Sequence, residues 1–132
     1  MSENESVKQV VLVGHCMPDT YMLKSTLPGL VGGVPIQAVN DAASIAKAGP
    51  ESLLLVNRAL DGEFGTDNGI ELIRTLAQRS PRPRLMLISN YAEAQQQAVS
   101  AGALPGFGKS ELGKAQTRQR LQAAVEGGKD GS

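Results

Sequence analysis

Apolar residues fall in five short runs along the chain: Val10-Val11-Leu12-Val13, Ile36 to Val39, Leu53-Leu54-Leu55-Val56, Leu85-Met86-Leu87-Ile88, and a short one within Leu104 to Gly108. The first, third and fourth are apolar at every position, as strands covered on both faces must be. Helical spacing fills the gaps between them. Asp19 to about Leu30 reads as a helix opened by Pro18 and Asp19 and ended by Gly29, Gly32 and Gly33. Asn40 or Asp41 caps a short helix to about Ala48, and Gly49-Pro50 turns the chain into the third run. A long, Gly-rich, acidic loop spans Arg58 to Asn68. After it, a helix from about Asn68 to Gln78 places Ile70, Ile73, Leu76 and Ala77 on one face, and Ser80-Pro81-Arg82-Pro83 closes it. Asn90 and Glu93 have the spacing of a capping box for a helix to Ala101, and Ser110 is placed to cap a last helix to about Glu126. Strands alternating with helices predict an α/β domain, (βα)5, with a doubly wound parallel sheet. It occupies residues 1–126, and the Gly-rich tail 127–132 is expected to be disordered.

Composition narrows the function more than the fold. At 132 residues, with no internal repeat or linker, the chain fits one domain. Its 13 basic and 13 acidic side chains cancel, so nothing draws it to nucleic acid or to an anionic membrane. The single cysteine, Cys16, excludes an intrachain disulfide and suits a reducing cytosol, and Met1 to Ser6 is polar rather than a secretory signal; the expected location is cytoplasmic. With no Trp and 3% aromatic residues, the core must be built from Leu, Val, Ile and Ala.

Candidate chemistry is sparse. Asn57 ends the third strand at a sheet edge, and a neutral carboxamide there is a poor nucleophile and a weak ligand for a hard cation. His15-Cys16 follows the first strand, but a structural zinc site takes about four ligands and the chain has one His and one Cys. Cys16 near Lys109 would make a redox-sensitive thiol, against the reading of a small buried one. Asp61, Glu63 and Asp67 lack the spacing of a calcium loop and read as a solvated acidic loop. The glycines at 29–33 and 102–108 are turns, since neither group follows a strand and opens a helix. Arg74, Arg79, Arg82 and Arg84 form either a solvated face or a docking patch for an acidic partner.

Several stretches carry a family likeness. Val10 to Val13 with Pro18, Leu54-Leu55-Val56-Asn57, Asn68-Gly69-Ile70-Glu71-Leu72, Leu87-Ile88-Ser89-Asn90-Tyr91, and Gly102-Ala103 followed by Lys109 stand in order at suitable spacings. From Val7 to about Val125 the chain resembles the receiver domain of two-component response regulators. The resemblance implies a flavodoxin-like fold with strand order 2-1-3-4-5, a role in signal transduction and no enzymatic activity of its own. It places the family's acidic pair on Gly14-His15 or, preferably, on His15-Cys16. The phosphoryl acceptor then falls on Asn57, the hydroxyl on Ser89 and the lysine on Lys109. Ser89 and Lys109 are retained, whereas the acceptor and the acidic pair are not. The loop after Asn57 is longer than usual and lacks the common proline, and the family's switch aromatic falls on Gly106, next to Phe107.

The expectation is an atypical receiver, a pseudo-receiver with a degenerate site and no catalytic residue, metal or cofactor. Ser89 can help to cap the helix after it, and Lys109 can bond to Asn57 or to strand-end carbonyls; alternatively both hold a small anion. Such a protein acts by phosphorylation-independent binding of a protein partner. The face implied by the resemblance is built from 93–101, 104–107 and 111–126, and it would also serve a homodimer. The second reading is a small-molecule or nucleotide-binding module, or an enzyme, using the edge at His15, Cys16, Asn57, Ser89 and Lys109.

Overall fold

In a computed structural model, which describes residues 6–126, the apolar runs become Gln9–Val13 (β1), Ile36–Val39 (β2), Ser52–Asn57 (β3), Arg84–Ile88 (β4) and Leu104–Phe107 (β5). All pair in parallel, in the expected order β2-β1-β3-β4-β5. The tail 127–132 lies outside the described residues.

The uninterrupted apolar runs divide by parity. Val11, Val13, Leu54, Val56, Leu85 and Leu87 face one core, and Val10, Leu12, Leu53, Leu55, Met86 and Ile88 face the other. Successive strand side chains point to opposite sides, so only a continuous apolar run can serve both. Each such buried side chain contributes about 1.5–3 kcal/mol relative to exposure.

Helices supply the second half of each core. Ala42–Ala46 (α3), Gly69–Leu76 (α4) and Ala92–Ala101 (α5) cover the first face, through residues such as Ile45, Ile73 and Ala98. Met17–Thr26 (α1), Pro28–Val31 (α2) and Ala115–Val125 (α6) cover the second, through Leu23, Leu30 and Leu121. Among the described residues, no helix is long and apolar enough to cross a membrane.

Three local expectations need correction. The first helix is not continuous over Asp19 to Leu30. It runs from Met17 and breaks after Thr26, because Pro28 has no N–H to donate and the chain restarts as α2. Asn90 and Glu93 form no capping box: Tyr91 is the N-cap of α5, without a side-chain bond. The Asn90 Oδ1 instead accepts from the backbone N–H of Ser110 (3.3 Å) and its hydroxyl (2.9 Å). Ser110 therefore does not cap the last helix. It sits in a 3-10 turn, Lys109–Glu111, and α6 begins only after Lys114. Of the alternatives Asn40 and Asp41, it is Asp41 that caps α3, accepting from the Ser44 N–H, and Asn68 caps α4 by accepting from the N–H groups of Ile70 and Glu71.

The long loop is folded rather than loose. Leu60 and Phe64 are buried in the first core, while Asp61, Glu63 and Asp67 stay exposed. Its backbone is stitched to the rest of the domain by Asp61 N–H to the Gly14 carbonyl (2.9 Å) and Glu63 N–H to the Asn40 carbonyl (2.7 Å).

Three arginines settle at the opposite, N-terminal edge of the sheet. Arg79 donates to the Ala48 carbonyl (3.3 Å), Arg82 to that of Ala77 (3.0 Å) and Arg84 to that of Ala124 (2.6 Å). Those carbonyls close the C-terminal ends of α3, α4 and α6, where four acceptors per helix lack intrahelical partners and a cation is favoured. Arg74 pairs with Glu71 one turn earlier on α4. Arg74 and Arg82 are exposed, as in a solvated face, whereas Arg79 and Arg84 are half-buried against these carbonyls.

Candidate functional site

At the C-terminal edge of the sheet, β1 and β3 deliver Gly14, His15, Cys16 and Asn57, while β4 and β5 deliver Ser89 and, through the 3-10 turn, Lys109. The retained lysine binds inward. Its ammonium lies 2.6 Å from a carboxylate oxygen of Asp19 and 3.3 Å from the Asn57 carboxamide oxygen. The bond to Asn57 is the one anticipated from sequence. Asp19 was read only as a helix-start residue; its place in the first turn of α1, the helix that starts at this sheet edge, was the signal that it could reach the lysine. The ion pair is half-exposed, and the bond from Lys109 holds the Asp19 carboxyl below its ordinary range against the opposing effect of burial.

Asn57 is committed on both sides of its amide. Its NH2 donates to the Ala59 carbonyl (2.7 Å) and the Gly14 carbonyl (3.2 Å), while its oxygen accepts from Lys109. An aspartate in this conformation would turn an oxygen, which cannot donate, toward two carbonyl oxygens. The local backbone is thus shaped around the amide.

Neither residue of His15-Cys16 offers the hard oxygen ligand of an acidic pair. His15 is 3% exposed, and its Nε2, 2.9 Å from the Leu55 carbonyl, must carry the proton because that oxygen only accepts. Its Nδ1 finds no partner among the described residues. Burial lowers the imidazole pKa from 6.5 to about 4, with Lys109 adding to the effect and the Leu55 bond and Asp19 opposing it. Cys16 is half-buried and forms the N-cap of α1. Gly14 has φ +74°, and a Cβ there would meet Leu60 Cδ2 at 2.6 Å, so a carboxylate-bearing residue fits poorly at that position as well. Among the described residues, no group of three His, Cys, Asp or Glu side chains is placed to hold a metal.

Ser89 is buried, and its hydroxyl accepts from the Tyr91 N–H (3.2 Å), so it supports the start of α5 as expected. The β5 strand carries a feature that no sequence signal announced. Met86 pairs with Leu104 and Ile88 with Phe107, so Pro105 and Gly106 together oppose Leu87 in a bulge. Gln95 of α5 stitches this bulge. Its NH2 donates to the carbonyls of Leu87 (2.9 Å), Ser89 (3.1 Å) and Phe107 (3.3 Å), and its oxygen accepts from the Gly106 N–H (3.1 Å). A Cβ at Gly106 would run into the Leu87 carbonyl, so no side chain fits without moving β5. The neighbouring Phe107 is fully buried in the second core.

The chain matches no protein-family model, and no curated protein is significantly similar to it. Solved structures do match. A response regulator from Colwellia psychrerythraea is similar with a TM-score of 0.55 and 22% identity, over 78% of this chain and 83% of that one. A response regulator receiver domain from Rhodospirillum rubrum is similar with a TM-score of 0.59 and 12% identity, over 86% of this chain and 88% of that one. With the strand order, these likenesses establish the flavodoxin-like fold of receiver domains.

Proposed function

We propose that this chain is a pseudo-receiver: a cytoplasmic signal-transduction protein on the receiver fold that takes no phosphoryl group and works by binding another protein. The observation that carries this reading is the closed network of Asp19, Lys109 and Asn57. An entering phosphoryl dianion would have to displace the Asp19 carboxylate from the only retained cation of the site. It would also need a nucleophile that a carboxamide does not supply. A divalent cation would find one carboxylate already paired, beside an imidazole and a thiol that are soft ligands.

With the chemistry closed, the surface is what remains to act. The docking face in this reading combines α5, β5 and α6, where Gln95 holds the strand edge in one arrangement. A homodimer would use the same face. The protein needs no cofactor and has no enzymatic activity in this reading.

An amide NMR titration with Mg2+ and beryllofluoride, a phosphoryl mimic, tests the central claim. No shift at Asn57, Ser89 and Lys109 is the expected result. Saturable shifts there that spread to α6 would show a working phosphoryl switch and overturn it.

A further inference from the structure

A hollow of about 390 Å3 lies on the surface between α5, β5 and α6, with the buried Gly106, where the resemblance places a strand aromatic, in its lining. Gln95, Gln96, Ser100, Pro105, Gly106 and Arg120 bound it. The walls are held in place before anything binds. Gln95 bridges β4 and β5, and the Arg120 guanidinium donates to the Gly106 carbonyl (2.5 Å). A preformed hollow saves a partner the ordering cost that otherwise subtracts from affinity. Its lining offers a proline ring, two side-chain amides and a guanidinium. Val99, 45% exposed at the rim, adds an aliphatic edge on a surface that would otherwise favour polar residues. The charged side chain in the lining is a cation, Arg120, with no acid beside it.

We propose that this hollow is the anchor point of the partner and receives one aromatic side chain, with a carboxylate next to it pairing with Arg120. The proposal rests on the reading of the α5–β5–α6 face as the docking surface. An aromatic ring stacks on peptide planes and guanidinium faces, and buried aromatic anchors commonly dominate the energetics of interfaces. The partner is therefore a protein segment presenting an aromatic–acidic pair. The two most exposed large apolar side chains among the described residues, Met17 and Tyr21 at 83% and 78%, lie one turn apart on α1 and offer the alternative docking place.

A random-peptide display library selected against the full chain tests this, with affinities and amide shifts measured for the recovered peptides. Enriched sequences should carry an aromatic beside Asp or Glu and shift Val99 and Gly106. They should weaken about tenfold or more when the aromatic becomes Ala, or when Ser100→Trp fills the hollow from its exposed rim. Arg120→Gln should remove the preference for the acid, and Met17→Ser should change nothing. Enriched peptides without an aromatic that still shift Val99 and Gly106 would sink the anchor but leave the docking face standing. Shifts at Met17 and Tyr21 would sink both. Failure to enrich any peptide on the folded chain would also reject the anchor.

Discussion

The two edges of the sheet handle charge in different ways. At the N-terminal edge, Arg79, Arg82 and Arg84 each reach a neutral carbonyl at the end of a different helix. The cations there complete backbone structure. At the C-terminal edge, Lys109 meets a carboxylate, Asp19, and a carboxamide, Asn57, so its charge is cancelled within the site. The contrast teaches that the same kind of charge can meet a backbone carbonyl at one edge and, at the other, an anion that the protein itself supplies. The C-terminal edge also contains a flaw, the buried Nδ1 of His15, which has no partner among the described residues.

The flaw yields the largest expected effect. His15 has a folded-state pKa of about 4 against 6.5 for the free group, so the unfolded chain binds the proton more tightly. Its effect on stability is absent above pH 6.5 and grows as pH falls from 6.5 toward 4, reaching about 3 kcal/mol at about 1.4 kcal/mol per unit. Urea unfolding at a series of pH values should show this slope, and His15→Gln should flatten it. An unchanged slope in that variant would mean the acid sensitivity belongs elsewhere. Asp19 acts in a lower window: its depressed pKa adds stability that is lost only below the ordinary carboxylate range.

Asn57→Asp sharpens the contrast next. Replacing a donor with an oxygen opposite the Gly14 and Ala59 carbonyls should cost about 1–2 kcal/mol at neutral pH, measured by the same unfolding curves. The variant should also take up no phosphoryl group from acetyl phosphate with Mg2+, because the acidic pair is still missing. Incorporation would show that the site needs only its acceptor.

At the other edge, Arg84→Met keeps the apolar stem and removes the bond to the Ala124 carbonyl. A loss of about 1 kcal/mol is expected, visible as a lower midpoint with an unchanged denaturant slope. Lys109→Met should matter least, by less than about 1 kcal/mol, since its partner Asp19 is partly exposed and can be rehydrated. If the lysine proves more important than the arginine, the C-terminal edge is held together by its charges and the comparison is the wrong way round.

Much of this molecule is legible in one dimension. Continuous apolar runs such as Leu53 to Val56 demand cover on two faces, and their alternation with helical spacing leaves a doubly wound parallel sheet as the economical solution. The resemblance placed Asn57, Ser89 and Lys109 together at one edge, and the structure brings all three to the C-terminal ends of its strands. Asp41 could be placed as a cap because capping is a bond across three residues. Local signals went astray where a distant partner outbid a near one: Asn90 serves Ser110, 20 residues on, rather than its own helix.

What the sequence determined by itself is the class of fold, which follows from residue types and periodicity, and the carboxamide that ends the third strand at Asn57. Only the tertiary structure decided that Asp19 closes the site, that three arginines finish three helices, and that Gln95 and the Gly106 bulge shape the β5 edge. Each of these is a contact between segments far apart in the chain, made by side chains long enough to choose among several acceptors. Their choice depends on which carbonyl or carboxylate the packed elements bring within reach, and no local pattern encodes that.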